Sequence, residues 1–166
     1  MSAERLALPA DLRRVLAAWA SRRYPREACG LLLGHPGGAC TTVVEVLEAR
    51  NLAAEDGHER FELDPADHMA AEQRAETLGL AVVGAWHSHP DQPAHPSERD
   101  RAAALPGWCM VIVATDAAGG GELRAWRVDG STRCELLLED RRTPRACASI
   151  REVPDESQNR SRACGQ

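Results

Sequence analysis

The stretch LAVVGAWHSHP, residues 80–90, joins a strand-forming run to two side chains of the kind that bind metals. Residues 80–86 are mostly large and apolar and include two valines, which predicts a strand buried in a sheet. His87 and His89 follow directly. Alternate residues of a strand point to the same side of the sheet, so the pattern predicts that both imidazoles face one point. Pro90 then ends the predicted strand and turns the chain.

A second polar motif, SERD, follows at residues 97–100 after a proline-rich segment. Serine followed by acidic residues favours the start of a helix, so we predict a short helix to about Leu105 with Asp100 in its first turn. Two imidazole nitrogens and one carboxylate oxygen match a catalytic zinc site, in which three protein ligands leave the fourth position to water. Zinc lowers the pKa of such a water to roughly 7.

A site of this kind also needs a general base close to the water. Glu27, in the motif EACG that precedes the apolar run at residues 31–33, is a candidate because a carboxylate can accept the proton and later deliver it to a leaving amine. Sixty residues separate Glu27 from His87. Spacing alone therefore does not establish that the two side chains meet.

The three motifs together resemble the signature of the JAMM, or MPN-plus, metallopeptidases. EACG at residues 27–30, HSHP at residues 87–90 and SERD at residues 97–100 match a distant Glu, then His-Ser/Thr-His-Pro, then Ser-x-x-Asp. The longer stretch WHSHP at residues 86–90, with Pro96 and Ser97, resembles the stand-alone bacterial branch of the family. The resemblance extends over roughly residues 5–140.

The resemblance implies a role for each of these residues. The positions that match His87, His89 and Asp100 bind one zinc ion per chain, and the position that matches Glu27 is the general acid and base. The position that matches Ser97 donates a hydrogen bond to the oxyanion of the tetrahedral intermediate, which stabilises its charge. Ser97 has a second interpretation as an ordinary helix cap, and both roles are compatible.

Periodicity and turn residues predict a mixed α/β fold with helices packed on a central sheet. The predicted helices are 11–24, 64–78 and the short one at 97–105, and the predicted strands are 30–34, 41–48, 80–86, 109–115, 122–128 and 133–139. The resemblance implies a single MPN-like domain at residues 5–140, with a curved, mostly antiparallel sheet flanked by helices in a cytidine-deaminase-like arrangement. Residues 141–166 are predicted to be a poorly ordered, Arg-rich tail.

Charge and composition exclude some classes of protein. The net charge is -5, and residues 141–166 carry six Arg and three acidic residues, which leaves the preceding 140 residues at -8. An acidic body of this kind argues against nucleic acid as a partner. The chain has no apolar run of membrane-spanning length, no signal-peptide pattern and no Cys-x-x-Cys pair among its six Cys. We therefore expect a cytoplasmic protein with reduced thiols, no membrane contact and no structural zinc.

Three further side chains near the motifs have ordinary explanations. Cys29 lies beside Glu27, but no histidine partner is indicated, so a buried thiol is expected rather than a nucleophile. Ser88 should point away from the two ligands and form a hydrogen bond in the core. His95 lies in the proline-rich segment and is expected to be an exposed loop residue.

The resemblance implies hydrolysis of the amide bond after the C-terminal Gly-Gly of a ubiquitin-like protein. Its bacterial members are linked to small ubiquitin-fold sulfur carriers, so a peptidase acting on such a carrier is our leading hypothesis. The alternatives are an isopeptidase for ubiquitin-like conjugates and a non-enzymatic MPN scaffold. A DNA-repair-associated branch lacks the Glu27-type segment, and phage-tail peptidases usually carry an added Cys-His hydrolase domain. The oligomeric state is left open, a dimer included.

Overall fold

The computed structural model describes residues 4–53 and 61–142. The predicted Arg-rich tail, apart from its first two residues, lies outside the described residues. Within them the chain forms the following elements: β1 Arg5–Ala7, α1 Ala10–Arg23, β2 Cys29–His35, β3 Cys40–Ala49, α2 Pro65–Leu78, β4 Ala81–Pro90, α3 Glu98–Ala103, β5 Cys109–Asp116, β6 Gly119–Asp129 and β7 Thr132–Glu139. The mixed α/β prediction is confirmed.

The strands close on themselves in the order β1-β3-β2-β4-β5-β6-β7. Four of the seven pairings are antiparallel, and the pairings of β1 with β3, β1 with β7 and β4 with β5 are parallel. The expected curved, mostly antiparallel sheet is therefore present, but it closes into a barrel. Closure depends on β1, a strand of three residues that the sequence patterns did not predict because period-two alternation needs a longer run.

Alternate side chains of β2 point to opposite faces of the sheet, and those on each face pack in a separate core cluster. Leu32 lies in the larger core cluster with Leu16 of α1 and with Trp86 of β4. Leu31 and Leu33 lie in a second cluster with small residues of α2. The helix α2 begins and ends as predicted, since the Asp64 side chain accepts a hydrogen bond from Ala66 N and Gly79 adopts a left-handed conformation.

Strand β4 pairs with β2 on one side and with β5 on the other. Its antiparallel register with β2 places Cys29 opposite His87. Just beyond the ladder, Ser88 N donates to Ala28 O at 2.9 Å, and Ala28 N donates to Ser88 Oγ at 2.8 Å. The motif at residues 27–30 is thereby fixed beside the two histidines. The predicted core hydrogen bond of Ser88 is confirmed.

In the part of the chain that the structure describes, no helix combines the length and the apolar character needed to cross a membrane.

Gly30 lies where the backbones of β2 and β3 and the indole of Trp86 meet. A Cβ added at Gly30 would lie 1.9 Å from Leu47 O and 2.4 Å from Trp86 Nε1, which are themselves joined by a hydrogen bond of 2.8 Å. We predict that Gly30→Ala lowers the free energy of unfolding by about 3 kcal/mol or more, because overpacking here displaces backbone and a buried indole. Urea unfolding measures the change.

Gly38 provides the matched control. It lies in the β2–β3 turn, and a Cβ added there meets nothing within 4 Å. Gly38→Ala should change the free energy of unfolding by less than about 0.5 kcal/mol. Equal stability of the two variants would contradict the packing described for Gly30.

Candidate metal centre

Three buried side chains bring their ligand atoms together where β4 ends and α3 begins. His87 Nε2 lies 3.1 Å from His89 Nε2 and 3.1 Å from Asp100 Oδ1, and His89 Nε2 lies 3.2 Å from Asp100 Oδ2. Their exposed fractions are 0%, 6% and 5%, respectively. Of the described residues, these three form the group that could hold a metal ion. The structure therefore brings together the three residues predicted as ligands.

The geometry and chemistry of this group fit a metal ion. Zinc–nitrogen bonds of about 2.0–2.1 Å in a tetrahedral site place neighbouring ligand atoms roughly 3.3 Å apart. The observed separations of 3.1–3.2 Å are close to that value. Two imidazole nitrogens and a carboxylate oxygen that converge on one point cannot all accept from one another. A divalent cation satisfies all three, and this set of ligands suits zinc and other first-row metals.

Charge and burial act in opposite directions within the group. Burial raises the pKa of Asp100, but hydrogen bonds to His87 and His89 outweigh it and hold this pKa well below its usual range. Burial lowers the pKa of His87, which favours the neutral imidazole that binds metals. Burial also opposes the charged form of His89, but Asp100 and the carbonyl of Pro93 leave its pKa raised. Asp100 is thus ionised at neutral pH.

The orientation of His89 depends on the loop that follows β4. Its Nδ1 lies 2.9 Å from Pro93 O, which can only accept, so Nδ1 carries a proton and Nε2 of the neutral ring is left with the lone pair that a metal ion would use. The next carbonyl, Ala94 O, accepts a hydrogen bond of 2.9 Å from the buried indole of Trp126 on β6. The loop is therefore attached to the sheet at the residue after the one that orients His89.

Asp100 is aimed by the start of α3. Ser97 N donates to Asp100 Oδ2 at 2.7 Å, and Asp100 N donates to Ser97 Oγ at 3.1 Å, which together form a capping box. Ser97 is therefore a helix cap, as the second interpretation stated. The cap uses its oxygen as an acceptor and leaves the hydroxyl proton for another partner. The oxyanion role of Ser97 stays a prediction.

Glu27 lies in the same open cleft as two of the ligands. The cleft has a volume of about 700 Å³, and Glu27, His89, Ser97 and Asp100 all line it. Glu27 is only 8% exposed. The structure thus places the predicted base beside the predicted metal ligands, although sixty residues separate them in the chain.

Two neighbours of the site were not found in the sequence. Asn51 Nδ2 donates to Glu27 O at 3.1 Å, and Asn51 Oδ1 accepts from Ala53 N and Glu62 N. Phe61 stacks on His87, with ring centroids 4.4 Å apart and an angle of 21° between the rings. An Asn after a strand is typical of a turn, and a single Phe in a polar segment belongs to no hydrophobic pattern. The sequence therefore did not indicate that either residue lies at the site.

A third contact fixes the chain on either side of the site. Asp91, directly after β4, has a φ of 56°, which is unusual for a residue other than glycine. Tyr24 Oη, at the end of α1, donates to the Asp91 carboxylate at 2.9 Å. The contact ties the segment before Glu27 to the segment after His89. Local strain of this kind is common next to functional sites.

The remaining predictions for single residues agree with the structure. Cys29 is buried, and burial, followed by the charge of Glu27, raises the pKa of its thiol to about 12. His95 is exposed, and its ring lies against Arg124 and Trp126. Neither side chain belongs to the group of three that could hold the metal ion.

Comparison with known proteins gives consistent results. Residues 9–129 match the family described as prokaryotic homologs of the JAB domain. A desampylase from Haloferax volcanii is 33% identical over 144 residues, which cover 84% of this chain and 100% of that protein. A CysO-cysteine peptidase from Mycobacterium tuberculosis is 32% identical over 128 residues, 76% of this chain and 85% of that protein. A solution structure from Desulfitobacterium hafniense has a TM-score of 0.71 at 26% identity and covers 81% of this chain and 91% of that one.

The mixed α/β fold, with a His-His-Asp group that could hold a metal ion, matches a hydrolase of the JAB/MPN type. The chain belongs to the prokaryotic JAB family, which confirms the resemblance read from its motifs. Desampylase and CysO-cysteine peptidase are hydrolases of this family, and this chain is an enzyme of the same kind. The scaffold alternative is therefore not supported.

Removing one charge from the centre should remove the metal. We predict that Asp100→Asn weakens zinc binding by more than about 100-fold, because a neutral amide oxygen replaces a carboxylate among the ligands. Competition with a chromogenic chelator measures the affinity. Glu98→Gln is the control, because it removes one charge from the same helix at an exposed position outside the ligand group. Equal zinc affinity in both variants would show that Asp100 is not a ligand.

The buried thiol offers a test of the class of chemistry. Cys29→Ala should retain hydrolytic activity within about threefold and cost roughly 1 kcal/mol of stability, since a thiol with a pKa near 12 is not a nucleophile at neutral pH. Activity is measured beside thermal unfolding. Complete loss of activity in a folded Cys29→Ala variant would favour a cysteine mechanism instead.

Proposed function

We propose that this protein is a zinc-dependent peptidase that hydrolyses the amide bond after the C-terminal Gly-Gly of a small ubiquitin-like sulfur-carrier protein. His87, His89 and Asp100 hold one zinc ion, Glu27 is the general acid and base, and Ser97 donates to the oxyanion. The observation that carries the proposal is the meeting of Glu27, His89, Asp100 and Ser97 in one cleft. The kinship with a CysO-cysteine peptidase and a desampylase supports the choice of substrate.

The chemistry divides between the ion and the side chains. When bound, zinc supplies the Lewis acidity that makes water nucleophilic near neutral pH. Glu27 accepts the proton of the attacking water and delivers it to the leaving amine nitrogen as the amide bond breaks. The hydroxyl proton of Ser97 is directed at the oxygen that gains negative charge, where a fixed donor is more effective than bulk water. His89 stays oriented throughout because its Nδ1–H donates to Pro93 O.

The shape of the cleft is consistent with a glycine-rich tail. Its volume of about 700 Å³ is open to solvent, while the ligand atoms beneath it are buried. A chain that ends in Gly-Gly can bring its backbone close to the ligands because glycine has no side chain to collide with Phe61 or with α3. An amide bond after such a tail is therefore easy to place next to Glu27.

The test uses a recombinant ubiquitin-fold sulfur carrier from the same genome, with one cysteine added beyond its Gly-Gly end. Intact mass spectrometry should show loss of the cysteine with the wild-type enzyme. Glu27→Gln should lower the rate by about 10²–10⁴-fold because it cannot transfer the proton. Zinc content should be unchanged in this variant, because Glu27 is outside the ligand group.

A second substrate separates the two peptidase hypotheses. A conjugate in which the same carrier is joined through its Gly-Gly end to a lysine ε-amine tests the isopeptidase alternative. If the enzyme cleaves only this conjugate, the isopeptidase alternative replaces the proposed peptidase function. An active Glu27→Gln enzyme with either substrate would overturn the role proposed for Glu27.

A further inference from the structure

A second cavity opens beside the candidate metal centre. It has a volume of about 260 Å³ and is lined mainly by apolar side chains, which include Leu63, Ala85, Leu105, Trp108 and Met110. A dry cavity of about 150 Å³ is enough to bind benzene, so this space can hold one large aliphatic or aromatic side chain.

The cavity and the catalytic cleft share walls. Phe61 and Ala103 line both spaces. His87, whose Nε2 belongs to the ligand group, also lines the cavity. The cavity therefore lies directly beside the place where the amide bond would be hydrolysed.

The walls come from two separate core clusters, with the cavity between residues of both. Leu63 and Trp108 pack with the cluster below α2, and Met110 packs with the cluster that contains Trp126 and Ala94. Leu105 lies at the rim and is 47% exposed. Such a gap leaves apolar surface that an apolar ligand group would remove from water.

The proposed substrate restricts which group can enter. The two residues before the scissile bond are glycines and carry no side chain. We therefore assign a side-chain cavity next to the metal ligands to the residue that leaves. We propose that this cavity, bounded by Phe61, Leu105 and Trp108, binds the side chain of the first residue after the scissile bond and selects apolar leaving residues. This inference rests on the function proposed above.

The charge of the lining residues predicts which side chains the cavity should not bind. Glu62 lines it together with the apolar residues, and no Lys or Arg is among the lining residues that the structure describes. A side-chain carboxylate on the leaving residue would lose water and would find Glu62, but no cation, among the described lining residues. Leucine, methionine and cysteine should be accepted, while aspartate should be disfavoured.

The test measures kcat/KM by intact mass spectrometry on a recombinant ubiquitin-fold carrier whose tail is Gly-Gly-X, with X being Leu, Cys, Gly or Asp. We expect Leu to exceed Gly by on the order of tenfold, because burial of a side chain in an apolar pocket gives discrimination of this size. Asp should be the slowest. Equal rates for all four tails would overturn the subsite and leave the proposed function intact.

Two variants test whether the preference for X = Leu arises in this cavity. Leu105→Asp places a charge at the rim and should abolish the preference for Leu over Gly. Leu78→Asp is the matched control, because Leu78 is similarly exposed at 42% but lies at the end of α2, outside both cavities. An unchanged preference in Leu105→Asp would contradict the assignment.

A filling substitution gives an independent readout. Ala85→Leu, on β4 two residues before His87, should reduce the cavity and lower kcat/KM for X = Leu more than for X = Gly. Thermal unfolding confirms that each variant is folded. No cleavage of any tail by the wild-type enzyme would overturn the proposed function and, with it, the subsite.

Discussion

The pairing of β2 with β4 is the constraint on which the rest of the site depends. It places Cys29 opposite His87, and the reciprocal hydrogen bonds between Ala28 and Ser88 continue the contact to the point where Glu27 lies. A slip of one residue in this register would turn both histidines to the opposite face of the sheet. The buried side chains on either side of β2 prevent such a slip, because Leu32 belongs to one core cluster and its neighbours belong to the other.

The centre itself opposes folding unless its charge is compensated. Asp100 is 5% exposed, and an ionised carboxylate at this depth costs several kcal/mol without partners. Part of the compensation is built into the chain, since Ser97 N and both imidazoles contact the carboxylate. Neutral His89 has its proton on Nδ1, directed at Pro93 O, so its Nε2 has no proton to donate to the carboxylate. A divalent cation would resolve this conflict, so the geometry that could hold a metal ion also accounts for the presence of these polar groups inside the protein.

The sequence predicted those parts of the fold and site that depend on local patterns. The strand at residues 80–86 and the helix that starts at Asp64 have strong periodicity or capping signals, and both are present. The meeting of Glu27 with the two histidines came only from the resemblance to a family, because no local rule relates residues sixty positions apart. The strand β1 was missed since three residues show no period, and the contact of Asn51 with Glu27 was missed since it exists only after β2 and β3 pair.

The orientation of His89 shows why the local motif is not sufficient for the site. Its Nδ1 donates to Pro93 O, and the next carbonyl, Ala94 O, accepts from the indole of Trp126. Trp126 lies on β6, 37 residues after His89 in the chain. Strand β6 reaches this position because it pairs with β5, which in turn lies parallel to β4. The HSHP motif therefore supplies two of the three proposed ligands, but the direction of the second imidazole depends on Pro93 O and on the strand that holds its loop. A chain with the motif alone, and without an indole or an equivalent donor at this position of β6, would hold its loop less firmly and bind metal with a less well-defined geometry.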